Sequence, residues 1–333
     1  MASIRRISIN PPLINSSCPW ASELDQLQAL FDCPYTGAVT TRTATLTGFA
    51  ESAEHGVVFT SDTVSSQNSY GYSPHPLAWY IDAVRSILAR SPDSKKPIII
   101  SITSSSPVSL DTMLSMIRAL RTELGDATCE TSRIAVELNT SCPNIQGSPP
   151  PAYTPAALAP LLSVLARHFT ADPTFALGIK LPPYTYSTQF SGLLSALTDV
   201  LQPNPDGSSR RLSPIAFITS TNTLGQTLLF DTQIQQSNLK TSQVPFALPT
   251  PLGGLAGDSI HSLSLGNVYT LRRMLNEHGE LSMHEIAIIG VGGVTSRDAH
   301  RRMREVGASV VACATYLGHE GVRAFELLSL NDK

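Results

Sequence analysis

Little in this 333-residue chain points to a covalent staple, a membrane anchor or a strongly charged partner. Its five cysteines, Cys18, Cys33, Cys129, Cys142 and Cys313, are odd in number and far apart, and no two form a C-x-x-C pair. That spacing argues against a disulfide framework or a zinc site and fits reduced thiols in a cytosolic compartment. Charge is scarce too: charged residues make up 15% of the chain, with 23 Lys plus Arg against 26 Asp plus Glu for a net charge of -3. So weak a field gives no reason to expect nucleic acid or anionic lipid as the main partner, and a small molecule is the expectation. The longest apolar runs, such as Ile98-Ile99-Ile100 and Ile286-Ala287-Ile288-Ile289, fall far short of the roughly 20 residues that cross a bilayer. Met1-Ala2-Ser3-Ile4-Arg5-Arg6, running on through Ile7, Ser8 and Ile9 to Pro11-Pro12, lacks the apolar region of a signal peptide and reads as a short strand entering a turn. A soluble, cytoplasmic protein is expected. No metal site is expected either, because His55, His168, His278 and His300 lack metal-ligand spacing and read as solvated; His75, between two prolines, reads as structural.

What is present is enough apolar material, 42% of residues, for a full-sized core. Short β-branched runs near 38–40 and at 57–60, 98–102, 134–138, 175–181, 215–219, 286–291 and 309–312 alternate with amphipathic stretches at 77–91, 110–124, 155–169, 189–201, 263–278 and 296–306. Such alternation is the pattern of repeated βα units around a parallel sheet. Eight runs match the α/β TIM (β/α)8 barrel, which commonly takes about 250 residues and leaves the rest for loop insertions. A single domain over 1–333 is expected. Polar, irregular stretches follow the strands at 61–75, 101–107, 139–153, 182–188 and 220–259. In a barrel they gather at the carboxyl ends of the strands, where the active site lies. The stretch 204–211 precedes a strand instead and reads as a turn, and Arg297, Arg301, Arg302 and Arg304 read as an exposed helix face.

The most informative segment is Glu137-Leu138-Asn139-Thr140-Ser141-Cys142-Pro143-Asn144-Ile145-Gln146-Gly147, which leaves a strand and enters a Pro/Gly loop. It brings amide donors and acceptors beside a thiol at the barrel mouth. A lone cysteine is more often a small core residue than a catalyst; this polar context is hard to explain as packing. Lys180 sits inside an otherwise apolar strand, where an uncompensated ammonium is costly to bury, so it needs an anionic partner. Gly292 and Gly293, followed by a helix near Ser296, offer bare amides and a helix amino end suited to a phosphate; in isolation a tight strand-to-helix turn explains such a pair better, but its position in the next-to-last unit favours the phosphate. Thr315 stands after the last strand, where barrel enzymes often complete a phosphate cup.

The cysteine segment resembles the catalytic loop N-x-S-C-P-N-x-x-G of class 1 dihydroorotate dehydrogenases. Further segments agree in order: Gly178-Ile179-Lys180-Leu181-Pro182-Pro183-Tyr184, Ser220-Thr221-Asn222-Thr223-Leu224-Gly225, Gly253-Gly254-Leu255-Ala256-Gly257, Ile288-Ile289-Gly290-Val291-Gly292-Gly293-Val294 and Ala314-Thr315. The resemblance spans nearly the whole chain. It implies an FMN-dependent oxidoreductase acting on CH-CH groups in pyrimidine biosynthesis, oxidising dihydroorotate to orotate. Cys142 is then the general base and Lys180 the flavin-contacting cation, while Asn68, Asn139, Asn144 and Asn222 match the family's four substrate asparagines. The same resemblance places Arg42, Tyr70, Gly71, Tyr72 and Thr223 at the substrate, and Ser16, Ser17, Arg42, Asn139, Gly253, Gly254, Gly292, Gly293, Ala314 and Thr315 at the cofactor. It also implies a homodimer with fumarate or another soluble compound as acceptor.

The match fails at three places. The family's lysine in T-K-[ST] is Arg42 here, and the glycine of its first flavin loop is Cys18. Its E-G-N-P-x-P-R stretch, which supports the substrate loop, is replaced by Gly48-Phe49-Ala50-Glu51-Ser52-Ala53-Glu54-His55. Arg42, Tyr72 and the missing loop favour an alternative, a divergent paralogue that performs flavin-dependent C–C bond oxidation or reduction on a specialised metabolite. A non-catalytic ligand-binding barrel is a third reading, opposed by the retained cysteine loop.

Overall fold

The computed structural model describes residues 1–145, 147, 149–235 and 245–330. Gln146 of the cysteine segment, Ser148, and residues 236–244 of the loop expected over 220–259 lie outside the described residues.

Eight parallel strands form the barrel: β1 (Leu13–Asn15), β2 (Val39–Thr40), β3 (Ile98–Ile102), β4 (Ile134–Asn139), β5 (Ala176–Leu181), β6 (Ile215–Ser220), β7 (Ala287–Val291) and β8 (Val310–Cys313). They pair in the order β1-β8-β7-β6-β5-β4-β3-β2. Every residue of these strands is buried, as expected for parallel strands covered on both faces. Side chains close the remaining seam. Asn15 Nδ2 donates to the Thr40 carbonyl at 2.6 Å, Thr40 N–H donates to Asn15 Oδ1 at 2.9 Å, and Gly37 N–H donates to the Leu13 carbonyl at 2.9 Å. The fold is a TIM barrel. Around it lie α1 (Leu24–Asp32), α2 (Leu77–Arg90), α3 (Pro107–Glu123), α4 (Pro155–Ala171), α5 (Ser187–Asp199), α6 (His261–Asn276) and α7 (Arg297–Glu305). Two of them carry the expected start signals: Ser106 Oγ accepts from Ser109 N–H with Pro107 next in line, and Ser296 Oγ accepts from Ala299 N–H. No helix among the described residues is long and apolar enough to cross a membrane.

One of the eight expected strands is not in the barrel. Val57–Phe59 pairs antiparallel with Ser65–Asn68 in a separate four-stranded sheet that also holds Leu224–Leu228 and Leu252–Gly257. All three of its residues are only partly buried, unlike any barrel strand. The missing strand is β1, a three-residue element directly after Pro11-Pro12, too short to stand out as an apolar run. Strands Ala2–Ile4 and Ile7–Ile9 form an antiparallel hairpin whose isoleucines join the barrel's interior cluster with Ile14, Ile99, Phe217, Ile289 and Val310. Inside the barrel the Phe217 ring fills the space of a side chain at position 178, where a Cβ would stand 2.3 Å from the ring; glycine is required there.

Two histidines read as solvated are buried, His168 at 5% and His300 at 4% exposure. His168 follows Leu161 and Leu165 on the inner face of α4, and His300 lies beside Ala299 and Met303 on that of α7. Burial lowers both imidazoles below the usual range, although His168 Nε2 lies 3.2 Å from Asp111 Oδ1 and His300 Nδ1 2.8 Å from the Leu328 carbonyl. Arg297, Arg301 and Arg302 are exposed as expected, whereas Arg304 folds back onto the Ala308 and Ser309 carbonyls.

Candidate functional site

The carboxyl ends of the strands open into a cavity of about 1000 Å³, counting its mouth, a size that suits a cofactor with a small substrate. Seven of the eight strands or the loops after them contribute to its wall: Ser16 and Ser17 after β1, Arg42 and Thr43 after β2, Asn139 and Cys142 at and after β4, Lys180 in β5, Asn222 and Thr223 after β6, Gly292 and Gly293 after β7, and Ala314 and Thr315 after β8. Asn68, Tyr70, Gly71 and Tyr72 reach the same wall from the outer sheet and the loop that follows it. Residues spread over 300 positions of sequence are thus brought to one surface. Gly253 and Gly254 are not on that wall; Ala256 and Gly257 are. The pair lies in strand Leu252–Gly257, where a Cβ at Gly253 would stand 2.5 Å from the Asn68 carbonyl and one at Gly254 2.2 Å from Thr223 Oγ1. Their smallness serves the close approach of Asn68 and Thr223.

On one side of the cavity stands Lys180, 4% exposed. Its Nζ donates to Ser16 Oγ at 3.0 Å and to the Ser17 carbonyl at 3.5 Å, so among the described residues a buried ammonium is met by neutral oxygens. Gly292 and Gly293 have φ of 126° and 66°, and Cβ atoms there would collide with Ser264 Oγ at 2.0 Å and His261 Cβ at 2.5 Å. Behind them His261 Nδ1 sits 2.9 Å from the Gly292 carbonyl, and Arg302 Nε donates to His261 Nε2 at 3.3 Å. Cys18, where a glycine was expected by resemblance, is a wall residue whose thiol burial pushes up to about 11.

On the other side the asparagines hold one another in place. Asn144 Nδ2 donates to the Tyr70 carbonyl at 2.8 Å and to Asn68 Oδ1 at 3.1 Å. Asn222 Nδ2 donates to Ser141 Oγ at 2.8 Å, and Ser141 Oγ donates to Asn139 Oδ1 at 2.8 Å. Cys142 lies among them. Burial raises its thiol above the usual range, opposed by the Asn144 backbone amide and by the charges of Lys180 and Arg42. Tyr72 is pushed up to about 12, by burial first and by proximity to Cys142 second, so it remains a neutral phenol.

Several working residues carried no sequence signal strong enough to single them out. Asn139 Nδ2 donates to Thr43 Oγ1 at 3.0 Å, Thr43 Oγ1 lies 3.0 Å from Ser101 Oγ, and Ser101 Oγ donates to Glu137 Oε1 at 3.1 Å. Thr219 Oγ1 closes the chain by donating to Glu137 Oε2 at 2.6 Å. Glu137 lies two residues before Asn139 on β4, so strand alternation points both inward and could have marked it. The divergent stretch replacing the family's loop support is also engaged. The Phe49 ring meets Tyr72 edge-on with centroids 5.9 Å apart and fills the space over Gly71, whose added Cβ would stand 2.3 Å from that ring. Two residues further on, Glu51 forms an ion pair with Arg42, which is also stacked 5.2 Å from the Tyr70 ring centroid.

Fold and site together define a TIM-barrel enzyme with its chemistry at the carboxyl ends of the strands. The family model described as "Dihydroorotate dehydrogenase" matches residues 9–329, and the chain belongs to that family, whose members are oxidoreductases acting on CH-CH groups. A Kluyveromyces lactis protein named "Dihydroorotate dehydrogenase (fumarate)" is 27% identical over 96% of this chain and 87% of its own. Streptococcal relatives assigned by description to dihydroorotate dehydrogenase A (fumarate) are 28% identical over 98% of this chain and 89% of their own in Streptococcus equi subsp. equi, and 31% over 79% and 70% in Streptococcus pyogenes serotype M1.

Proposed function

We propose that this chain is an FMN-dependent oxidoreductase that oxidises dihydroorotate to orotate, with Cys142 as the base. The observation that carries the reading is Lys180, a buried cation with only hydroxyl and carbonyl partners at the wall of a cofactor-sized cavity. An anionic group beside it would supply the missing partner. FMN fits the residues present and supplies a hydride acceptor when bound. Lys180 would meet its pyrimidine edge, where a positive charge favours the reduced form, and Gly292, Gly293, Ala314 and Thr315, all on the cavity wall, would hold the phosphate through their backbone amides and the Thr315 hydroxyl. The asparagines Asn68, Asn139, Asn144 and Asn222 line the cavity and would pair with the ring's amide and carboxylate groups. Cys142 Sγ, as thiolate, takes the proton from the substrate carbon, and Tyr72 stays protonated beside it.

Fumarate, named in the relatives, or another soluble acceptor reoxidises the site in this reading, and the protein works as a cytoplasmic homodimer. Anaerobic addition of dihydroorotate to FMN-loaded protein tests it: loss of the oxidised flavin band supports dihydroorotate as substrate. A yellow protein that keeps its band at saturating dihydroorotate favours the second reading, in which the same proton and hydride chemistry acts on another ring. The engagement of Arg42 by Glu51 favours that second reading.

A further inference from the structure

Two cations, Arg42 and Lys180, and no carboxylate line the described wall of the cavity. Lys180 is occupied by the cofactor side, so Arg42 is the charge left to meet a substrate. It is not free. The guanidinium is 7% exposed as a side chain and is engaged on three sides: by the Glu51 carboxylate, by Ser22 Oγ at 3.4 Å, and by the face of Tyr70. The remaining groups that face the substrate volume, the asparagine amides and the Tyr72 phenol, are neutral.

We propose that Glu51 sets the substrate class of this site: by neutralising Arg42 it makes the cavity prefer an uncharged cyclic amide over the same ring bearing a carboxylate. This inference rests on the FMN and Cys142 part of the proposed function and, in place of dihydroorotate, takes the second reading given there, in which another ring is the preferred substrate. A ring carboxylate reaching Arg42 either exchanges one carboxylate for another, gaining no net charge pairing, or enters beside Glu51 and is repelled. A neutral ring meets neither obstacle. Glu51 also acts on the wall beyond Arg42, since its charge raises the Tyr70 phenol after burial has done so. The carboxylate comes from the stretch that departs from the family pattern, Gly48 to His55, which Phe49 anchors through its N–H to the Ser73 carbonyl at 2.9 Å. Specificity and loop sequence therefore change together.

The test uses FMN-loaded full-length protein titrated with orotate and with uracil, the same ring with and without its carboxylate. Binding is followed by the flavin absorbance shift and by calorimetry. In the unaltered protein uracil binds at least as tightly as orotate. Glu51→Gln, which removes the charge and keeps the size, tightens orotate by about tenfold or more and moves uracil by less than about threefold, the worth of a hydrogen bond to a charged group. The double variant Glu51→Gln/Arg42→Gln loses that gain, which locates it at the guanidinium. Tighter binding of orotate than uracil in the unaltered protein, together with unchanged or weaker orotate binding in Glu51→Gln, overturns the proposal. A protein that takes up no FMN shows no flavin band at all, and in that case the underlying reading falls and this one with it.

Discussion

Lys180 Nζ lies 3.0 Å from Ser16 Oγ, so among the described residues this buried charge at the cavity wall is answered by a hydroxyl and not by a carboxylate. Removing that charge has a specific consequence. Lys180→Met lowers the two-electron potential of the bound flavin by about 30–60 mV, equivalent to about 1.4–2.8 kcal/mol less stabilisation of the reduced form. Equilibration with reference dyes of known potential measures it; an unchanged potential contradicts the placement of flavin against Lys180.

With Cys142 as the proposed base, flavin reduction has a defined pH dependence. Burial holds the thiol above its usual range, so at neutral pH the thiol form dominates and the thiolate fraction grows with pH. Flavin reduction at saturating substrate therefore accelerates about tenfold per pH unit between roughly pH 6 and 8. Cys142→Ser shifts that rise to higher pH, as the weaker acidity of a hydroxyl requires. Stopped-flow reduction across pH measures both.

Phe49 and Gly71 are coupled by packing. In Gly71→Ala the new methyl meets the Phe49 ring at a site where a Cβ has only 2.3 Å, and the clash costs about 1–3 kcal/mol in urea unfolding. Phe49→Ala introduced into that variant recovers part of the loss, so the two substitutions are less than additive. Full additivity would show that the ring does not rest on Gly71.

Arg121, wholly buried, pairs with Asp126 at 2.9 Å and with Asp172, and lies 4.7 Å from the Phe175 ring centroid. Arg121→Met leaves two carboxylates without their partner and destabilises the fold by about 3–5 kcal/mol. The urea midpoint falls while the slope of the transition is unchanged.

The barrel was legible in the sequence because fully buried parallel strands read as unbroken apolar runs, as in Ile98–Ile102 and Ala176–Leu181. The same criterion exchanged Val57–Phe59 for Leu13–Asn15, since three residues directly after Pro11-Pro12, ending in Asn15, leave only two apolar positions in a row. Cys142, Asn139 and Asn144 stood out as a polar segment leaving a strand, whereas Asn68 and Asn222 were singled out only by the resemblance. Glu51 and Phe49 were not, because they act through a loop without periodicity, across nine residues to Arg42 and 22 to Gly71. His168 and His300 were misread as solvated although each recurs with apolar neighbours at helical spacing on an inner face.

Central to the whole account is Cys142 as the base for a hydride-transferring flavin. Its most direct test is single-turnover, anaerobic reduction of the FMN-loaded protein by saturating dihydroorotate, compared with Cys142→Ala. The oxidised flavin band is expected to bleach in the unaltered protein, and bleaching to slow at least about 100-fold in the variant, the scale of a lost general base. Equal bleaching rates in the two proteins, with FMN bound in both, would contradict it.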